Sequence, residues 1–300
     1  IQEGKFFFFF FLADRYNHAM LNVILLTSTV PDRKTFSFDI IPSNMVDNIV
    51  VNKAFVPELP GEWAGGLIQV NTKDIPAKNF FNIQLSSGFN TQTIGKDFYE
   101  DKGGKTDWLG IDDGTRNLPA AYTTKSSFDT ASFASKTSMG KSMRNAWAPT
   151  KIAAPFNAAF EINGGFKGKV LGKTLGGIFG ITYRKNNSIQ DIVNRHNNFE
   201  NSRDFKGTDI DFNDERYLQS TAVSALASLS VQLNNLNKIG IKSIISTNTS
   251  NSTILRNGLD DTRSEDIMAY EYSFKQNTFF TTQLTGQHSL SNNLKLNWNG

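Results

Sequence analysis

The stretch Val223-Ser224-Ala225-Leu226-Ala227-Ser228-Leu229-Ser230-Val231-Gln232-Leu233 decides the fold. Val223, Ala225, Ala227, Leu229, Val231 and Leu233 fall on one side of an extended chain, and Ser224, Ser228, Ser230 and Gln232 on the other. Successive strand side chains point to opposite faces, so this period of two predicts a strand with one apolar and one polar face. The pattern recurs in both directions along the chain. Upstream, Phe81, Ile83, Leu85 and Phe89 oppose Asn82, Gln84, Ser86 and Asn90. Phe156, Ala158, Phe160, Ile162 and Phe166 oppose Asn157, Glu161, Asn163 and Lys167, and Leu175, Phe179, Ile181 and Tyr183 oppose Gly176, Gly180, Thr182 and Arg184. Downstream, Ile239, Ile241 and Ile245 oppose Gly240, Lys242 and Ser246. A longer segment sets Met268, Tyr270, Tyr272, Phe274, Phe280 and Leu284 against Glu271, Ser273, Lys275, Thr281 and Gln283, and a seventh begins at Leu294, Leu296 and Trp298.

The connections alternate in length. Gly168 to Lys173, Asn234 to Asn237 and Ser291 to Asn293 read as tight turns, whereas Thr91 to Thr150, Asn187 to Gln219 and Asn251 to Arg263 read as long loops. Tight turns at one end, long loops at the other and strands of about ten residues or more are the pattern of transmembrane barrels. A soluble sandwich turns every 8–12 residues or so at both ends. Aromatic residues on the apolar face, among them Phe156, Phe179, Tyr183, Tyr270 and Trp298, lie near expected strand ends, where interfacial girdles occur.

Composition narrows the function classes. The 300 residues are 39% hydrophobic with negative mean hydropathy, and the longest apolar run, Phe6 to Ala13, is far short of the roughly 18–20 residues of a spanning helix. A membrane location therefore requires a closed barrel, the other fold that satisfies its own backbone in lipid. The absence of cysteine excludes thiolate metal sites, cysteine nucleophiles and disulfides. The net charge is +3, and the Lys and Arg are scattered, so no basic stripe for nucleic acid is seen. His18, His196 and His288 lack metal-ligand spacing. Asp112-Asp113-Gly114 resembles part of a calcium loop but lacks its ligand spacing and closing Glu, and Asp209-Ile210-Asp211 and Asp260-Asp261 read as solvated loop charges. No serine nucleophile elbow, P-loop or dinucleotide fingerprint occurs, so no catalytic residue, metal or cofactor is assigned and the chain is not expected to be an enzyme. There is no initiator Met or signal peptide, and Leu294 to Gly300 reads as a strand barely begun, so an internal piece of a longer protein is expected. The six phenylalanines Phe6 to Phe11 read as a buried strand or a homopolymer tract and carry no assigned role.

The character of the chain changes at Pro76. Before it, Val46 to Val51 and Leu67 to Thr72 read as short strands, separated by Pro57-Glu58-Leu59-Pro60-Gly61 and Gly65-Gly66, which punctuate an irregular loop. A small α+β domain is expected here. Its residues include Asp14-Arg15-Tyr16-Asn17, Leu21-Asn22, Pro31-Asp32-Arg33 and Phe38-Asp39-Ile40-Ile41-Pro42-Ser43-Asn44. There follow Val51-Asn52-Lys53-Ala54-Phe55-Val56-Pro57-Glu58-Leu59-Pro60-Gly61-Glu62-Trp63-Ala64-Gly65-Gly66 and Val70-Asn71-Thr72-Lys73-Asp74-Ile75-Pro76. This series resembles the C-terminal part of the plug domain of TonB-dependent outer-membrane receptors of the Bacteroidota type. Asp107-Trp108-Leu109-Gly110-Ile111-Asp112-Asp113-Gly114-Thr115-Arg116-Asn117-Leu118-Pro119, in the first long connection, resembles the same family. The chain departs from the family pattern at the phenylalanine run, where a short strand ending in Arg-Gly is usual, and at Asn22-Val23, where an Asn-Gly turn is common.

The resemblance implies a plug (α+β), residues 1–76, followed by the first strands of an all-β transmembrane barrel, residues 77–300, about seven antiparallel strands of about 22. It implies active uptake of a bulky solute (a siderophore, corrinoid, oligosaccharide or peptide) across the bacterial outer membrane, driven by the TonB energy-coupling protein through a segment upstream of this sequence. Outer-membrane lipid and a surface lipoprotein are further implied partners. A passive porin-like channel is the alternative, with a barrel enzyme behind it. Arg15, Tyr16 and Asn17 are candidates for the plug apex facing substrate, although Arg15 could equally pair with carboxylates on the inner wall. Gly65 and Gly66 are read as a structural turn of the plug.

Overall fold

The computed structural model describes residues 17–22, 24–26, 45–54, 57, 59, 61, 66–199, 205–291 and 293–300. Arg15, Tyr16, Gly65 and the run Phe6 to Phe11 lie outside the described residues. The described residues form a four-stranded sheet, a seven-stranded sheet and a two-stranded hairpin, and the chain passes from the first to the second between Thr72 and Phe80.

The small sheet holds β1 (Asn17–Leu21), β2 (Ile24–Leu25), β3 (Val46–Asn52) and β4 (Gly66–Thr72) in the order β2-β1-β4-β3. β1 and β4 run parallel, whereas β2 and β3 pair antiparallel with their neighbours. An α+β unit was the expectation; among the described residues before Pro76 there is no α-helix. β4 is central and buried at nearly every position, which explains its run of apolar residues on both faces.

The large sheet holds seven strands, all antiparallel. They are β5 (Phe80–Gly88), β8 (Asn157–Val170), β9 (Lys173–Phe199), β10 (Phe205–Asn234), β11 (Asn237–Asp260), β12 (Glu265–Ser289) and β13 (Lys295–Asn299). Each strand lies beside its sequence neighbour within the sheet, and each of the seven alternating segments falls in one of them. β8 and β9 join through Leu171 and Gly172, both at positive φ (51° and 76°), the mirror-image turn whose twist suits a two-residue hairpin. β6 (Asp97–Glu100) and β7 (Thr150–Ala153) form a separate small hairpin within the connection from β5 to β8. That connection also carries a 3-10 turn at Asp107–Leu109 and two short helices, α1 (Lys125–Thr130) and α2 (Phe133–Ser142). The Thr124 and Ser132 side chains cap the helix starts by accepting from Ser127 and Ser135 backbone N–H groups.

Two expected loops are strand instead. β9 and β10 stay paired as far as Phe199 and Phe205, so much of the expected loop from Asn187 to Gln219 is a continuous hairpin. β11 and β12 likewise pair out to Asp260 and Glu265. The cause is compositional. Beyond Lys185 the strands carry polar residues on both faces, as in Gln190 to Asn198, and the apolar alternation disappears while the backbone ladder continues. The connection from β5 to β8 is the one that is long.

The two faces of the large sheet differ sharply. Ile178, Leu226 and Ile244 form one core with Ala19, Leu21, Leu26, Met45, Ile68 and Val70 of the small sheet. The small sheet therefore lies on the face that also bears Ser224, Ser228, Ser230 and Ser246, all buried. The opposite face, made of the alternating apolar residues, is exposed along its lower rows: Leu85 at 77%, Phe280 at 67% and Phe81 at 62%, with Ile83, Ile181, Leu229, Ile241 and Ile245 also exposed.

Candidate functional site

Three features mark this molecule as more than a stack of sheets: a polar seam, a bare apolar belt and a knotted connection above it.

The seam lies where the small sheet meets β11 and β12. Asp74, two residues past β4, is bridged by Lys238 Nζ at 2.5 Å and Lys242 Nζ at 2.6 Å. Lys242 Nζ also donates to Asn22 Oδ1 and Thr72 Oγ1, both at 3.2 Å. Asn22 Oδ1 accepts from the Thr72 backbone N–H at 3.0 Å, and Asn22 Nδ2 donates to Gln283 Oε1 at 3.4 Å. Asn22, Thr72, Lys242 and Gln283 line a small cleft with Leu21 and Leu226. Lysines in a covered strand need a counter-charge, because an unpaired buried charge is costly. Burial pushes the Asp74 carboxyl up, but hydrogen bonds and attraction from the two ammonium groups outweigh it and leave the carboxyl below the usual range. Just beyond, Ile75 passes over Gly176, where a Cβ would lie 2.6 Å from Ile75 Cγ2, so the glycine makes room for the exit from the small sheet.

The belt is defined by register. Ile83, Ile162, Ile181, Ala225, Ile245 and Phe280 form one continuous row across six strands. Nearer the turns, Phe166, Gly177, Leu229, Ile241 and Leu284 form another. On the far side of the isoleucine row comes Leu85, Phe160, Tyr183, Val223, Thr247 and Thr278, half apolar and half hydroxyl. The next row, Ser87, Ala158, Lys185, Thr221, Thr249 and Gln276, is polar.

At that boundary the connection from β5 to β8 settles onto the same face. Phe98 packs on Tyr217 with Ala154 and Ile189, and Gln219 Nε2 donates to Glu100 Oε2 at 2.8 Å. Burial raises the Glu100 carboxyl above its ordinary value, a rise that the Gln219 hydrogen bond and Lys185 reduce. Arg116 ties the connection together, bridging Asp107 at 2.6 Å, Asp101 at 3.2 Å and Asp112 at 3.4 Å, with its guanidinium 3.9 Å from the centre of the Phe274 ring. Asp113 is held down to about 2 by the Thr115 hydroxyl together with the backbone N–H groups of Lys105 and Thr115. These carboxylates are thus occupied by a guanidinium and by backbone donors. Among the described residues, no group of three or more His, Asp or Glu is arranged around a metal position.

Asn17 opens β1 in register with Gly66, which is buried and opens β4; Arg15, Tyr16 and Gly65 lie outside the described residues. The histidines are separate: His18 is buried in β1, His196 lies 3.3 Å from Asp209, and His288 contacts Asn237 and Trp298. Sequence reasoning placed Lys242 on the polar face of its strand but missed its partnership with Asp74. A lysine in the middle of an alternating strand was the available signal, since it demands a carboxylate from elsewhere in the chain. No described helix is long and apolar enough to cross a membrane. No family model matches the chain, and no curated protein matches it.

Proposed function

We propose that residues 1–76 are the end of a plug domain and residues 77–300 the first strands of an outer-membrane β-barrel, in a transporter of the TonB-dependent type. The observation that carries this reading is the inverted sheet, with its polar face covered by a folded element and its apolar face bare. In water that arrangement is expensive. Fully burying a Leu, Ile or Phe is worth about 1.5–3 kcal/mol. Phe81, Ile83, Leu85, Phe166, Phe179, Ile181, Leu229, Ile239, Ile241, Ile245, Phe280 and Leu284, each roughly half exposed, forgo on the order of 10 kcal/mol together. That rivals the whole stability of a typical domain, about 5–15 kcal/mol. In hydrocarbon the penalty vanishes. The dimensions agree: Val223 to Leu233 spans about 33 Å along the strand at about 3.3 Å per residue, which a tilt near 40° projects to roughly 25 Å, the height of a barrel's apolar band.

In this reading the seven strands are about a third of a wall of about 22, wide enough to need an internal stopper. The small sheet occupies the lumen. The tight turns face the periplasm and the long connection faces outward. A bulky solute, siderophore, corrinoid, oligosaccharide or peptide, binds from outside, with a surface lipoprotein as partner. The TonB protein, engaging a segment upstream of these residues, draws on the inner-membrane proton gradient to displace the small sheet. The polar seam suits that role, because its hydrogen bonds and ion pairs can be exchanged for water as the sheets part. The reading assigns transport and no catalysis.

Uptake by cells, assayed with labelled ferric siderophores, corrinoids, oligosaccharides and peptides, tests it. Accumulation that stops when a proton uncoupler is added or TonB is deleted is the expected result. Accumulation that persists would favour the passive channel, and recovery of the protein in the aqueous fraction without detergent would overturn both.

A further inference from the structure

We infer that Trp108 and the segment around it form an anchor for net-anionic phospholipid headgroups, seated where the apolar belt ends; this rests on the membrane reading above. The position follows from register. Tyr183 lies one row beyond Ile181 and projects from the belt face, and one row further that face becomes Lys185, Thr221, Thr249 and Gln276. Tyr183 Oη donates to the Trp108 carbonyl at 2.7 Å, and the two rings lie 6.4 Å apart. Thr249 Oγ1 donates to the Gly110 carbonyl at 2.5 Å, and Gly110 sits so close that a Cβ would stand 3.0 Å from Thr249, so the segment is pressed onto the sheet. Trp108 is thereby fixed at the polarity boundary, yet it remains 58% exposed. An indole, with an apolar body and one N–H donor, prefers such a boundary between hydrocarbon and headgroups.

Charge completes the argument. The segment 101–118 contains four carboxylates, but Asp101, Asp107 and Asp112 turn onto Arg116, and Asp113 turns onto backbone N–H groups. Its exposed residues include Lys102, Lys105, Trp108, Ile111 and Leu118, with Asp113 the one exposed carboxylate. Two lysines against one exposed carboxylate leave that surface with a small net positive charge beside its apolar residues, and it adjoins a lipid-facing belt. It complements an anionic lipid surface, and the three aspartates drawn onto Arg116 explain how an acidic sequence presents a net basic face.

The test uses the full-length protein in phosphatidylcholine vesicles with and without phosphatidylglycerol, containing lipids brominated near the headgroup or deep in the chain. The difference in tryptophan emission between wild type and Trp108→Phe isolates Trp108, and Phe280→Trp reports on the belt. The expected result is at least about twofold stronger quenching of Trp108 by shallow than by deep bromines, increased by phosphatidylglycerol in wild type and not in Lys102→Glu/Lys105→Glu. Quenching of Phe280→Trp without quenching of Trp108 would overturn the anchor and leave the membrane reading standing. Absence of quenching at both sites would overturn both. Trp108 quenching that ignores phosphatidylglycerol would overturn the anionic-headgroup assignment.

Discussion

Along β10 the buried face changes: it is the inner face near the turn, the outer face from Tyr217 to Thr221, and the inner face again at Phe212 and Asp214. Near the turn, Ser224, Leu226, Ser228 and Ser230 are covered by the small sheet, while Leu229 on the other face is open. Beyond the belt the sides exchange: Tyr217, Gln219 and Thr221 are buried beneath the connection from β5 to β8. A single strand thus meets different surroundings along its length, and its residues follow them. Where no described residue covers the outer face, its side chains are apolar; where a polar connection covers that face, they become Thr, Gln and Tyr. The comparison teaches that the exposed apolar residues of the lower rows form one continuous patch where the outer face is uncovered.

The largest expected effect comes from charging one end and then the other. Leu229→Arg places a cation in the middle of the belt and should cost about 2–4 kcal/mol of folding stability in lipid vesicles. Met268→Arg, at an exposed site beyond the belt, should change stability by less than about 0.5 kcal/mol. Urea unfolding of both variants measures the contrast, and equal effects would remove it. Next, Arg116→Ala strips three carboxylates of their partner at a mostly covered site and should destabilise the connection locally by about 2–3 kcal/mol. Hydrogen exchange should accelerate across residues 101–118 and leave the lower rows of β10 protected. Asp74→Asn acts at the other end, loosening the seam by about 1–2 kcal/mol and raising exchange in β1 and β4. The smallest effect is the pH dependence. The folded-state pKa of Asp74 and Asp113 is depressed, so the stability each contributes is present above its unfolded value, near 4, and is lost as pH falls through the folded one. Thermal scans should therefore show a decline below about pH 4, shallower in Asp74→Asn than in wild type.

The sequence made the belt legible for a physical reason. One face of each lower strand meets an apolar environment and the other does not, and that contrast is written as a period of two. The upper halves of β9 and β10 lack the contrast, so a paired hairpin from Ile189 to Tyr217 read as loop. The seam was half legible, since Lys242 stood out on its polar face, but nothing local pairs it with a carboxylate more than a hundred residues upstream. The Arg116 knot was present as a motif, yet only its folded geometry shows which aspartates turn inward. The expected helical content before Pro76 rested on the resemblance and on mixed local patterning; the described residues there form four strands and no α-helix.

The parallel pairing of β1 with β4 has a mechanical meaning. β1 is entered from the N-terminal side, and β4 leads directly to the Asp74 clasp and on to β5. Tension applied upstream of β1 and resisted at β5 loads the two strands in shear, so all five paired residues from Asn17 to Leu21 bear it together and cannot open one at a time. Single-molecule pulling on the N-terminal end should therefore detach the small sheet as a unit, its ion pairs yielding before β1 slides from β4, whereas a first step the length of β1 alone would mean the load is carried differently.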